Sequence, residues 1–367
     1  MRLRLLTFTT VLLFSLCLGA RAAGPLPACE HVAAPLEVLR FEAPLKSLRE
    51  FLPPDKVARG AKPEALDPLI DAIVEKDARG LLFKLEGLLR IYDGIYGGAL
   101  KKLRVDVKRA EDLVGWYSEK LEYLDYARKI EAPGPVVEAM GKVRDASKGE
   151  LYDGMPEFPE TLDRLQAELG KVDWERQRDD RVSVMRELAR ELKKYERLDY
   201  DMTDLQGGIH ELRRNLRWIL IYIQALDGLM VLEKGVGRIN EYSYLEGHPI
   251  AKSKFSKVEP NPRVKKPVQV PVEYFLALSK LVQEIGVIKS SAENVEAVAG
   301  GYFEAARESG KPISHKKALK MARDLAREND PDFVEDPHAA ARQSLKELKR
   351  TGLLRKLRKW VEDEVGI

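Results

Sequence analysis

Gly208–Gln224 reads GIHELRRNLRWILIYIQ, and its periodicity decides what kind of chain this is. At about 100° per residue, a helix over this stretch gathers His210, Arg213, Arg214 and Arg217 into one arc of about 100°. Leu212, Leu216, Ile219 and Ile223 form an apolar stripe beside that arc. Past Arg217 the same arc meets Leu220 and Ile221, so the helix runs from a charged end into an apolar interior. Three guanidinium groups and an imidazole on one face make a cationic row. Such a row is either a surface for an anion or a solvated face whose arginines are capped by carboxylates.

The surrounding chain favours helix throughout. Its 367 residues suffice for two domains or one long helical assembly with a proper core. Charged residues make up 33 % and aromatic ones 7 %, and Leu, Ala, Glu, Lys and Arg dominate, a mixture that suits helix better than sheet. Upstream, Asp67-Pro68 has the form of a helix start, followed by apolar spacing through Leu81–Tyr92 and a break at Asp93-Gly94 and Gly97-Gly98. Leu100–Ile130 then predicts a long helix, with Leu103, Val107, Ala110, Val114, Tyr117, Leu121 and Leu124 three or four apart. Shorter helices are expected over Val136–Asp145, Glu160–Leu169 and Arg181–Tyr195. Asp201–Asp204 (DMTD) reads as loop and capping chemistry before the central helix.

Downstream the style changes. Residues 235–272 carry Pro249, Pro260, Pro262, Pro267 and Pro271 with Lys252, Lys254, Lys257, Arg263, Lys265 and Lys266. This predicts a long basic surface loop with little fixed structure, apart from short extended pieces near Val268–Val270. Helix resumes over Val272–Ala306, then from an N-cap at Ser314 through Arg327, from Asp336-Pro337 through Lys349, and over Leu353–Val365 after Gly352. No series of strands interrupts it, so the expected fold is all-α with antiparallel neighbours.

The N-terminus reads as an export signal. Arg2 and Arg4 precede the apolar run Leu5–Leu18, and Ala20-Arg21-Ala22 supplies a cleavage pattern, so residues 1–22 are expected to be removed. The run is too short for a permanent span, which implies a soluble periplasmic or secreted protein. Removal takes three arginines and no acid, leaving bases and acids equal in number. Polyanion binding would therefore rest on a local patch and not on a global field. Cys29 would be the one cysteine left, which excludes an intrachain disulfide or a cysteine metal site. Leu26-Pro27-Ala28-Cys29 is a poor lipoprotein box, so an unmodified thiol is the expectation over lipid anchoring at Cys29. Residues 23–66, rich in proline, read as an extended arm, with room for a short amphipathic turn over Phe41–Phe51.

Two parts of the chain repeat one plan. Residues 81–130 give a helix, a break and a long helix carrying Gly115; residues 209–306 give a helix, the basic loop and a long helix carrying Gly286. The helix starts near Phe83 and Arg213 lie 130 residues apart and the glycines 171 apart, the excess being about the length of the loop. This suggests two bundles, 67–205 and 206–367.

His210-Glu211-Leu212-Arg213-Arg214-Asn215-Leu216-Arg217 resembles the start of the second half of the CHAD (conserved histidine α-helical) domain. Val282–Val295 resembles that family's following helix, and Leu348–Val361 its basic closing helix. The first half is degenerate: Arg79–Arg90 keeps only Arg79, Lys84 and Arg90, with Glu86 and Gly87 where further bases would stand. The resemblance implies two pseudo-symmetric antiparallel helical bundles with a basic groove that binds inorganic polyphosphate or another phosphorylated polymer. It places Arg213, Arg214 and Arg217 on phosphates, where planar forks suit phosphate oxygens. His210 would serve as donor or packing residue, and Lys349, Arg350, Arg355 and Arg358 would widen the patch.

Catalytic readings have less to stand on. The five histidines are scattered without metal-ligand spacing. There is no phosphate-cradling glycine loop and no nucleophile elbow. No catalytic residue, metal site or cofactor is expected. Two function classes remain: a polyanion-binding module, or a non-catalytic structural or protein-interaction module that has lost the ligand.

Overall fold

A computed structural model of the chain describes residues 36–52, 57, 62–174, 179–235, 241–253 and 256–366. The expected signal and Cys29 lie outside the described residues. The chain is mostly helical, with 77 % helix and only 3 % strand, which places it in the all-α class. No described helix is long and apolar enough to cross a membrane.

The helices are α1 (Leu36–Phe51), α2 (Pro63–Glu75), α3 (Ala78–Ile95), α4 (Lys101–Lys129), α5 (Gly134–Gly154), α6 (Glu157–Leu169) and α7 (Asp180–Arg197). After a π-helical turn at Leu205–His210 come α8 (Glu211–Ala225), α9 (Val272–Glu308), α10 (His315–Asn329), α11 (Pro337–Thr351) and α12 (Leu353–Val365). Several boundaries fall where local chemistry puts them. Ser314 accepts from the Lys317 amide at 3.3 Å and Asp336 from the Ala339 amide at 2.8 Å, two N-caps read directly from the sequence. Gly352 ends α11 in the left-handed region at φ 59°.

Two expectations are corrected. The proline-rich stretch read as an extended arm contains α1, whose Phe41, Leu45 and Leu48 are buried at helical spacing despite Pro44. Phe41 packs beside Tyr92 and Trp174, with ring centroids 5.9 and 6.2 Å away, and Arg40 is buried against Asp180 at 2.6 Å. This segment belongs to the core. The second correction is the start of α2, which begins at Pro63, one turn before Asp67. The Asp67 carboxylate instead accepts from Lys148 and Tyr152 on α5.

The basic loop is also more ordered than its composition suggests. Met230–Glu233 (β1) pairs in parallel with Val268–Pro271 (β2), Met230 opposite Val268. A parallel pair needs a long crossover, and the residues between supply it, with 3₁₀ turns at Ser243–Gly247 and Pro249–Lys252. Tyr242, Leu245 and Ile250 are buried and fasten the crossover to the core.

One hydrophobic cluster runs from Phe41 to Val361 and draws on both halves of the sequence. Within it α8 lies against α3, α7 and α9, and Leu212, Leu216, Ile219 and Ile223 are fully buried. A smaller cluster joins the far ends of α4 and α9 to α5 and α10, where Ala318, Ala322 and Ala326 admit a close approach. The long helices α4 and α9 thus span both clusters and wall the space beside α8.

A candidate anion groove between four helices

The cationic end of α8 opens onto a groove of about 1060 Å³, walled by α3, α4 and α9. The geometry begins with two glycines. A Cβ on Gly286 of α9 would stand 2.9 Å from Arg213 Nε, and one on Gly115 of α4 would stand 2.7 Å from an Arg79 terminal nitrogen. Each bare glycine on a long helix lets an arginine from the helix before it lie against the wall of the groove.

Arg217 stands over the Phe83 ring, its guanidinium carbon 4.3 Å from the centroid, and Arg79 approaches the same ring at 5.4 Å. Phe83 meets Trp218 edge to face at 5.8 Å, and Trp218 in turn carries Arg90 at 4.2 Å. An aromatic face attracts a cation through its ring quadrupole. Arg213 Nε and Arg217 Nε are buried and have no hydrogen-bond partner among the described residues. Neither residue forms an ion pair there. Burial, then Arg213 and Arg79 nearby, pull the Arg217 guanidinium down to about 10. Burial likewise lowers Arg213, with Glu293 partly opposing. Both remain cationic near neutral pH.

The flanks are neutralised. Arg79 donates to Glu111 at 2.8 Å, and Lys108 reaches the same carboxylate at 2.9 Å. Burial would raise Glu111, but these two cations outweigh it and hold the group low. Arg90 grips Glu86 Oε1 with two bonds of 2.9 and 2.7 Å; Glu86 is fully buried, which pushes its carboxyl up. On the α9 side Lys289 pairs with Glu293, which also accepts from Gln206 at 3.2 Å. Burial opposes ionisation of Glu293, yet His210, Lys289 and Gln206 hold it down to about 2. His210 Nδ1 stands 4.0 Å away, within ion-pair range but too far for a hydrogen bond.

His210, Arg213, Arg214 and Arg217 all line this groove, as their shared arc on the helix requires. They differ in state. Arg214 pairs with Glu211 on its own helix, while Arg213 and Arg217 face the groove uncompensated. The closing-helix cations are not part of the lining. Lys349 meets Asp199 at 3.3 Å, Arg350 meets Glu347 at 2.5 Å, Arg358 meets Glu196 at 3.1 Å and Glu362 at 2.8 Å, and Arg355 lies by Gly352. Because α12 packs on α7, Arg358 reaches Glu196 of that helix.

The sequence missed Phe83, Lys108, Glu111, Trp218, Lys289 and Glu293. Their one available signal was the glycine pair. Gly115 and Gly286 align Arg79 with Arg213, 134 residues on, and so set Phe83 opposite Arg217 and not opposite Arg213. Among the described residues no three His, Cys, Asp or Glu side chains are grouped to hold a metal. The arrangement lines the groove with two guanidinium groups that have no ion-pair partner among the described residues, a surface suited to an anion. No family model matches the chain, and no curated protein or solved structure is significantly similar to it.

Proposed function

We propose that this chain is an exported, non-catalytic CHAD-like module that binds inorganic polyphosphate or a related phosphorylated polymer in the groove beside α8. One observation carries the reading: Arg213 and Arg217 are half-buried, line a groove of about 1060 Å³, make no ion pair among the described residues, and each buries an Nε without a hydrogen-bond partner. An uncompensated buried guanidinium costs stability, and an anion arriving in the groove removes that cost. The Arg79–Gly115 and Arg213–Gly286 contacts also support a duplicated bundle, with the first copy degenerate where Phe83 replaces an arginine. A polyanion would then engage chiefly the second half.

Calorimetric titration with long-chain polyphosphate at low ionic strength tests the proposal. Binding should fall steeply with added salt, because each Arg–phosphate contact displaces counter-ions. The double substitution Arg213→Glu, Arg217→Glu should abolish binding while the helix persists, since Glu suits a helix about as well as Arg. A wild-type protein that ignores polyphosphate under these conditions would defeat the reading. The alternative, a structural or protein-interaction module, draws on the pairing of Arg214 with Glu211 and of Arg79 with Glu111. It gains ground if the double variant and the wild type behave alike.

A further inference from the structure

A second hollow, of about 450 Å³, adjoins the groove and differs from it in chemistry. Its lining is mostly apolar: Ala139, Met140 and Val143 from α5, and Ala297, Gly300 and Phe303 from α9. Val143 and Phe303 are 48 % and 37 % exposed, so apolar side chains at its edge are left uncovered. The adjacent glycines of α9 play different parts. A Cβ on Gly301 would stand 2.8 Å from Val136 and 2.9 Å from Met140, so this glycine sets how closely α9 approaches α5. A Cβ on Gly300 would meet nothing within 4 Å. Open space lies over it.

The hollow and the groove share Glu119, Tyr123 and Glu293 in their linings. These three side chains border both spaces. Three of the four carboxylates around the hollow have a lysine or arginine partner: Glu119 meets Lys120 at 3.0 Å, Glu293 meets Lys289 and Glu304 meets Arg307 at 2.6 Å, while Glu296 lies 3.6 Å from His315. Arg213 and Arg217, which make no ion pair among the described residues, line the groove and not the hollow. The pair of sites is thus amphiphilic, with unpaired cations in one compartment and an open apolar hollow in the next. Its size falls in the range of pockets that take small molecules, about 300–1,000 Å³.

We infer that the two compartments together bind a phosphate-headed amphiphile, a single-chain alkyl phosphate monoester in its simplest form. The phosphate lies at Arg213 and Arg217 and the alkyl chain passes Tyr123 into the hollow over Gly300. This rests on the anion-binding reading of the groove and adds the ligand's apolar half. Burial of each methylene favours binding, so the chain, not the phosphate alone, sets affinity.

The test compares dodecyl phosphate, kept below its micelle concentration, with ethyl phosphate, dodecyltrimethylammonium and long-chain polyphosphate, by calorimetry on the whole protein. Dodecyl phosphate should bind at least tenfold more tightly than ethyl phosphate. Gly300→Leu fills the hollow with a better helix former; it should erase that advantage and leave polyphosphate affinity unchanged within about twofold of wild type, since the cations are untouched. Phe303→Ser, at a partly exposed position, should reduce the advantage at a smaller packing cost than a core substitution and guards against misfolding of the first variant. Equal affinity for the two alkyl phosphates, an advantage that survives Gly300→Leu in a folded protein, or tighter binding of the cationic amphiphile would each overturn the inference while polyphosphate still binds. Failure of every phosphate, polyphosphate included, would instead overturn the anion groove and this inference with it.

Discussion

Arg217 lies over Phe83 with 4.3 Å between its guanidinium carbon and the ring centroid, and its Nε is buried without a partner. A helix from one half of the sequence thereby rests a bare cation on an aromatic ring from the other. The ring blocks solvent on one side and offers attraction far weaker than a carboxylate's. What remains is a charge whose best partner would come from outside the chain.

Removing that charge should stabilise the free protein. A base whose folded pKa is depressed to about 10 is penalised in the fold. The penalty is fully present below that value and disappears only as pH rises past the unfolded value, so at neutral pH it applies in full. Arg217→Met keeps most of the volume and the contact with Phe83, and is expected to gain about 1–3 kcal/mol. Thermal unfolding measures this directly. Polyphosphate should raise the wild-type Tm by mass action and leave the variant's nearly unchanged. A variant less stable than wild type would mean that Arg217 finds a stabilising partner in the free protein.

Gly286→Ala separates the arginine's placement from its charge. In the interior of α9, Ala is a better helix former than Gly by about 1 kcal/mol, but its Cβ would stand 2.9 Å from Arg213 Nε. The obstacle is a flexible side chain, so it swings aside and leaves the helix in place. The expected outcome is unchanged or slightly higher stability with weaker anion binding. Unaltered binding would show that Arg213 reaches its ligand from elsewhere.

The sequence disclosed single helices better than their neighbours. Caps at Ser314 and Asp336 and the stop at Gly352 are local chemistry, and the structure keeps them. The row of His210, Arg213, Arg214 and Arg217 follows from helical spacing alone. Most of what opposes that row does not, because Glu111 and Glu293 come from two other helices and no spacing relates them to α8; Phe83 is reached only through the glycine pair. The closing helix shows the same limit: Arg358 looks available until α7 brings Glu196 to 3.1 Å. Prolines misled in α1, where Pro44 concealed the helical spacing of Phe41, Leu45 and Leu48.

Leu216 tests the packing under the cationic row. It is fully buried on the apolar stripe of α8 beside the groove's charges, within the cluster shared by both halves. Leu216→Ala should cost about 2–5 kcal/mol in urea unfolding, as for a core leucine. A loss of a few tenths would mean that α8 is peripheral and that the groove lacks a rigid floor.

Glu293 sets the pH response of the site. Its carboxyl is held at about 2, against an ordinary value near ~4.3, by surroundings that outweigh its burial. A depressed carboxylate contributes stability that is complete above the ordinary range and is lost as pH falls from there through about 2. Glu293→Gln should therefore cost at most ~3 kcal/mol at pH 7, and the difference from wild type should shrink steadily between about pH 5 and pH 2. Urea unfolding at several pH values across that window checks it. A difference as large near pH 2 as at neutrality would show that Glu293 contributes by shape and not by charge. Binding should move the other way: the substitution frees Lys289 and removes a negative charge from the lining that groove and hollow share. Phosphate affinity at pH 7 is expected to rise severalfold while stability falls, and a simple loss of packing would not produce that opposition.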